Sequence, residues 1–525
     1  RASFSPDGRY IAFQRFVTAQ ESHLFAKDLL KNKEYRLTTV SGIYGKPIWS
    51  PDSSQVAFSH IVIPIENIQI KHCNSIVSVS ISLAKSSVQN PHSLLSCDAT
   101  NISGLTWLNN HSLAYISGNY FDSEIKRLNI KSNEILTLYK QTGQFFHSLA
   151  YGAAQKKLAI LQASLNFSGA LTLLSLDEEF EVSEIKQATL QPPKSLSYYL
   201  WGEMSWHPHE EHLLVAHAQS LFEINLEGEM TELPVPTYQT IYDPVYHPDG
   251  KRIAATLGIA DFDITQLTWQ NDIKPSPKFE TLFRSTLSEG AAQYQPNGEG
   301  IAFLSKRSGI RQLWFAIDDE LKQLTQFTKQ ERIQSFIWSS ESNQLLVNVN
   351  NQLQLISTSG DREPLNNSPI VLNIYQWLMD GSLLLKVANG EQANIVRFDI
   401  NTGNIEALYH GETRWAQLYE NENDHQPILY ISDYKGLLTE LPLDDKKQSS
   451  KLAFMSSYKK FFIQSNTLIT MNKQGYIYCY DLISGNKKKL ELGIKLQKLN
   501  DIDLQRRQLL YKRYVSGKKE IVIIE

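Results

Sequence analysis

Phe4-Ser5-Pro6-Asp7-Gly8-Arg9-Tyr10-Ile11-Ala12-Phe13 is the stretch that decides the fold, because degraded copies of it recur to the C-terminus. Phe4 ends a short apolar strand, Pro6-Asp7-Gly8 makes a tight turn, and Tyr10 starts a second strand in which small Ala12 leaves room for a packed neighbour. The turn is chemically specified, since proline presets φ and glycine accepts positive φ. The string returns as Ile48-Trp49-Ser50-Pro51-Asp52-Ser53-Ser54-Gln55-Val56-Ala57-Phe58 and as Val245-Tyr246-His247-Pro248-Asp249-Gly250-Lys251-Arg252-Ile253-Ala254. A fourth copy is Gln293-Tyr294-Gln295-Pro296-Asn297-Gly298-Glu299-Gly300-Ile301-Ala302-Phe303.

The first unit continues through Leu24-Phe25-Ala26-Lys27-Asp28-Leu29, a polar turn at Lys31-Asn32-Lys33, and Glu34-Tyr35-Arg36-Leu37-Thr38. Four short strands in fewer than about 45 residues describe one blade of a β-propeller. Weaker copies carry Trp107-Leu108-Asn109-Asn110, Trp206-His207-Pro208, Trp338-Ser339-Ser340 and Trp377-Leu378-Met379-Asp380-Gly381. The anchors Pro208, Pro248, Pro296 and Ser340 are 40, 48 and 44 residues apart. Counted to the end, the chain holds about twelve blades, more than the four to eight or so that close one ring. The expected fold is therefore all-β, with two tandem propellers of four-stranded antiparallel blades. The preferred division is 1–285 and 286–525, after the Pro- and Lys-bearing connection 271–278. The last repeat stops at its third strand, 520–524, and its fourth is expected from residues upstream of Arg1. Arg1 opens the chain inside a repeat, so a piece cut from a longer protein is expected.

Composition agrees with a β-rich globular chain: of 525 residues, 42% are hydrophobic and 10% aromatic, with Tyr and Phe prominent. The net charge of -4 gives no basic footprint, so nucleic acid is not an expected partner. No run approaches the roughly eighteen apolar residues of a membrane span.

Several residues invite a chemical reading. His207, His209, His212 and His217 suggest a metal, but His207 occupies the repeat position of Ser5, Ser50, His247 and Gln295, so no metal site is assigned. Asp7, Asp52, Asp249 and Asp380 recur because the turn needs them, which argues against calcium ligands or general acids. There is no Gly-x-Ser-x-Gly elbow, phosphate loop, zinc-protease helix or EF-hand loop. No catalytic residue and no cofactor is assigned, and the chain is expected not to be an enzyme. Cys73 and Cys97 fall at the open ends of one expected hairpin in the enlarged second repeat. Antiparallel neighbours there can reach disulfide distance, which would imply an oxidising compartment. Cys479, among strand tyrosines, is expected in the core.

The units beginning Phe4-Ser5-Pro6-Asp7-Gly8 and Trp49-Ser50-Pro51-Asp52 resemble the TolB-like, WD40-like propeller repeat, and Leu24-Phe25, Asp28-Leu29 and Arg36-Leu37-Thr38 complete the pattern in the first. Three families use such repeats: the periplasmic TolB translocation protein, the prolyl-oligopeptidase type, and CadC/ToxR-like membrane-anchored regulators with a cytoplasmic winged helix and a periplasmic propeller region. The chain looks most like the last. That resemblance implies a non-enzymatic periplasmic region of an inner-membrane protein, anchored through residues outside this chain. Its partner would be a small-molecule or protein signal, and homo-oligomerisation is left open. The alternatives are a peptidase propeller separated from its hydrolase domain and a TolB-like interaction scaffold.

Overall fold

The computed structural model describes all residues except 18–20, 63–72, 85–86, 89, 99–101, 120–121, 165–168, 192–201, 218, 236, 238, 271–276, 319, 329–330, 390–391, 412, 421–426, 434–436, 444–449, 456–459, 473 and 525. The first blade shows how the repeat becomes structure. Ala2–Phe4, Tyr10–Phe16, Ser22–Asp28 and Lys33–Arg36 pair in chain order as one antiparallel sheet. At the turn, the Gly8 amide donates to the Ser5 carbonyl at 2.8 Å, with Gly8 at φ 68°. The Ser5 hydroxyl accepts the Tyr10 amide at 2.8 Å, and Asp7 Oδ1 accepts the Arg9 amide at 3.0 Å. Phe4 thereby pairs with Ile11, and Ser3 with Ala12.

Second strands read as unbroken apolar runs because a blade is covered on both faces by its neighbours. Ile301–Ser305 is buried at every position, and Leu213, Leu214 and Val215 are fully buried. Third strands retain alternation, as in Ser22–Asp28. One helical turn, Ile81–Ala84, interrupts the strands.

The chain forms two compact units, Arg1–Ile259 with Lys518–Glu525, and Ala260–Gly517. In unit 1, apolar clusters join blades one and two around Tyr10 and Trp49, two and three around Phe58's neighbour Ala57 and Trp107, and three and four around Leu108 and Phe146. Others join four and five around Ala159 and Trp206, and five and six around Leu214 and Tyr246. A last cluster packs Ala254 of the sixth blade against Ala2, Phe4, Ile11 and Phe13 of the first, which closes a six-bladed ring. Unit 2 closes in the same way: five clusters follow its blades in order, and a sixth brings Ile264 and Leu510 against Ala292, Tyr294 and Phe303.

The structure divides the chain at Ile259/Ala260, whereas the sequence pointed to residue 285. The physical reason is the length of two strands. Ile253–Thr268 and Gln508–Ile524, 16 and 17 residues long, are each divided between the units. The final blade of unit 2 combines Lys498–Asp503 with 508–517, 260–268 and Lys278–Leu282. Its outer strands therefore come from the middle of the chain, and not from residues upstream of Arg1. Residues 520–524, expected as the third strand of that blade, belong to the sixth blade of unit 1. There Val522 and Ile524 pack against the cluster containing Leu214, Leu221 and Ile241.

Candidate functional site

The turn aspartates prove to be structural acceptors. Asp52 is raised by burial but lowered further by hydrogen bonds from Ser50 and Ser54, for a net fall. Asp249 is held well below the usual carboxylate range, chiefly by the Lys251 amide. A general acid needs the opposite shift. The turns also clasp neighbouring blades: the Asp52 amide donates to Asn110 Oδ1 at 3.1 Å, and the Asn297 amide to the Ser342 hydroxyl at 2.8 Å. Trp49 and Trp206, which precede the turns, donate their indole N–H groups to the Ser3 and Ala150 carbonyls of the adjacent blades at 3.1 and 3.0 Å.

His207, Glu210 and His212 bring one potential ligand atom each within 4.8 Å of the others. Both nitrogens of His207 are nevertheless engaged. Nδ1 accepts the Glu210 amide at 2.8 Å, and Nε2 lies 3.0 Å from the Gly250 carbonyl of the next blade. His212 Nε2 lies 3.2 Å from the Tyr246 hydroxyl. The group is an inter-blade polar contact at the turn.

The backbones of Cys73 and Cys97 lie in Cys73–Ser80 and His92–Asp98, the third and fourth strands of the second blade, while their side chains lie outside the described residues. Asn74 pairs with Asp98, so the two cysteines are not direct cross-strand partners. No disulfide appears among the described residues. Cys479 is in no disulfide and is partly buried against the cluster joining the last two blades of unit 2. Unit 1 encloses a cavity of about 290 Å³ whose lining includes His147, Glu203, Tyr242, Asp243 and Lys519. Its mixed charge favours no one ligand class.

A different group of residues stands out in unit 2. Lys306 follows Ile301–Ser305 and Arg311 precedes Gln312–Ile317, the two ends of one turn. Arg332 precedes Ile333–Trp338, and Lys498 opens Lys498–Asp503. Lys512 is the direct antiparallel partner of Lys498. Its ammonium lies 4.0 Å over the Phe262 ring and approaches the backbone at Gly290.

These cations share one electrostatic environment. Burial lowers the Lys306 ammonium, and Arg311 and Arg332 lower it further. Burial and then Arg332 lower Arg311; burial and then Arg311 lower Lys498. Lys512 falls to about 8, through burial first and repulsion from Lys498, Arg311 and Lys306, against an opposing pull from Glu289. Arg311 and Lys498 are nonetheless exposed to solvent. Among the described residues, Lys306, Arg311, Lys498 and Lys512 form no ion pair with a carboxylate within 4 Å. Such an array suits the binding of carboxylate or phosphate oxygens.

Sequence reading missed this set because its members span about 200 residues and sit in a chain of net charge -4. Only closure of the ring brings the first and last blades of unit 2 together.

No family model and no curated protein matches the chain. Among solved structures, one described as TolB from Agrobacterium tumefaciens aligns at TM-score 0.37 and 13% identity, over 49% of this chain and 99% of that one. Tricorn protease aligns at TM-score 0.32 and 12% identity, over 94% of this chain, which spans 58% of the tricorn chain. The propeller assignment rests on the blades and their closed rings.

Proposed function

We propose that this chain is a non-enzymatic recognition region in which the cation cluster of unit 2 takes an anionic ligand, a small molecule or an acidic peptide. The observation that carries the reading is the set Lys306, Arg311, Lys498 and Lys512, which has no described carboxylate ion pair; burial first, and then neighbouring cations including Arg332, lower the basicity of each. Mutual repulsion of this kind is relieved when an anion enters, so binding energy is stored in the empty site. In its finer form the proposal makes this the periplasmic, signal-receiving part of a membrane-anchored winged-helix regulator, on the strength of the repeat resemblance.

Titrating the protein calorimetrically with citrate and with a tetraglutamate peptide, at low and high salt, tests the first part. Saturable binding that an Arg311→Gln/Lys512→Gln double variant loses supports the cation cluster as the site; equal binding by that variant sinks it. For the regulator reading, a gene encoding a winged helix and an apolar span ahead of residue 1 is the expected finding, and a cleavable signal peptide there would reject it. Thiol labelling of the native oxidised protein addresses the compartment. One reactive equivalent is expected if Cys73 and Cys97 are bridged, and three would remove that support.

A further inference from the structure

Next to the cations, unit 2 holds a second group that the recognition reading does not use. Asp261 and Asp263 lie two residues apart on one strand, so their side chains share a face. Glu289 opens the strand Glu289–Tyr294 of the first blade. One carboxylate oxygen from each lies within 4.8 Å of the corresponding oxygens of the other two.

The hydrogen bonding of this group is one-sided. Glu289 Oε1 accepts from Ser285, from Ser305 at 3.0 Å and from Arg307 at 3.3 Å. Glu289 Oε2 is sealed from solvent and has no donor. Asp263 faces Arg284 through Oδ2 at 3.8 Å, while its sealed Oδ1 has no donor. Asp261 Oδ1 is in the same condition. The side chains of Asp263 and Glu289 are 3% and 0% exposed, so bulk water does not satisfy these oxygens. Burial raises all three acids; for Asp261 the neighbouring Asp263 adds to the rise, while Arg284, Arg307 and Arg513 offset part of the effect on the others. Leaving a buried acceptor unmatched is costly, and more so when it carries charge.

We infer that Asp261, Asp263 and Glu289 form a calcium-binding site in unit 2, each supplying one carboxylate oxygen. Oxygen-only ligation selects a hard cation, and ligands at 2.3–2.6 Å from Ca²⁺ lie at most about 5 Å apart, the span available here. Mg²⁺ holds its ligands closer and gives up water reluctantly, which a sealed group of acids disfavours. Arg284 and Arg307 engage Asp263 Oδ2 and Glu289 Oε1, leaving the other oxygen of each for the cation, as supporting partners do at metal sites. This inference uses residues other than the four cations and a ligand of opposite charge, and the two sites touch through Glu289, which raises Lys512.

The test is calorimetric titration of the chelator-treated full chain with Ca²⁺ and separately with Mg²⁺, alongside thermal unfolding. Wild type is expected to bind one Ca²⁺ per chain and to unfold at higher temperature when loaded. Asp263→Asn and the milder Asp261→Asn each should lose more than about tenfold in affinity, while unfolding no earlier than wild type without metal, because each removes a buried charge. Absence of Ca²⁺ binding, or binding unchanged in both variants, overturns the site in favour of carboxyl groups sharing protons. Equal affinity for Mg²⁺ overturns the assignment to calcium.

Discussion

Lys498 and Lys512 face each other as direct register partners across an antiparallel strand pair in unit 2. Like charges so placed destabilise a sheet, and Arg311 adds repulsion to both. A fold that keeps such a pair beside Lys306 and Arg332 has kept it against the interest of its own stability. Local rules of this kind are most often broken at functional sites.

Replacing Lys512 by Met should stabilise the ligand-free protein by about 1 kcal/mol and abolish stabilisation by citrate. Urea midpoints with and without the anion measure both effects. A variant less stable than wild type that still responds to citrate would show that Lys512 is a structural residue only.

The same lysine sets a pH dependence. Lys512 titrates at about 8 in the folded protein, against about 10.4 when unfolded. Between those values the unfolded chain binds the extra proton, so stability should rise with pH across that window. Anion binding should run the other way and weaken as pH passes about 8. An affinity that stays constant from about pH 7 to about pH 9.5 contradicts the involvement of Lys512.

In unit 1, acid should act through His147. A bulge between Phe146 and Ser148 places it beside Phe145, ring centroids 4.3 Å apart, and burial lowers it to about 4. Unfolded histidine titrates near 6.5, so the unfolded chain takes the proton first. Its contribution is fully present above about pH 6.5 and is lost as pH falls toward about 4. His147→Gln should flatten the fall in urea midpoint between about pH 7 and about pH 4.5; an unchanged fall would assign the acid sensitivity elsewhere.

Much of this was legible in the sequence, and the reason is locality. The Pro-Asp-Gly turn, its serine and the apolar second strand lie within ten residues of one another, so the blade and the approximate blade count could be read directly. Which strand completes which ring depends on pairing between residues 253–268 and 508–524, which leaves no local signature. The cation cluster was hidden for the same reason: Lys306 and Arg311 look like an ordinary polar turn until Lys498 and Lys512 are brought beside them. Nothing in the sequence near Asp261 and Asp263 signals the distant Glu289.

Two glycines separate turn strain from inter-blade contact. Gly8 and Gly143 have φ of 68° and 77°, but a Cβ on Gly8 would stand 2.9 Å from the His247 ring, whereas one on Gly143 meets nothing within 4 Å. Gly143→Ala should cost about 1 kcal/mol from backbone strain alone, and Gly8→Ala about 2–3 kcal/mol. Adding His247→Ala to Gly8→Ala should recover part of the loss; without any recovery, the contact with the neighbouring turn is not what Gly8 protects.

Unit 2 is continuous in sequence and contains all its inter-blade clusters, so residues 260–517 should unfold alone in one cooperative transition. Deleting residues 518–525 should leave that transition in place and destabilise unit 1 by about 2 kcal/mol, through loss of the partly buried Val522 and Ile524. Calorimetry of the full chain and the deletion would separate the two. Loss of both transitions would refute the division.

The two-part composition of unit 1 also sets an order of events during synthesis. Chains emerge from the N-terminus at about 5–20 residues per second. After Ile259 has appeared, every residue of Ala260–Gly517 must be made before the segment that finishes the sixth blade of unit 1 exists. For that interval, on the order of tens of seconds, Ile241, Leu214 and Leu221 wait without Val522 and Ile524. The ring begun first is thus the last to be completed, and a ribosome that stalls anywhere within 260–517 leaves unit 1 unfinished.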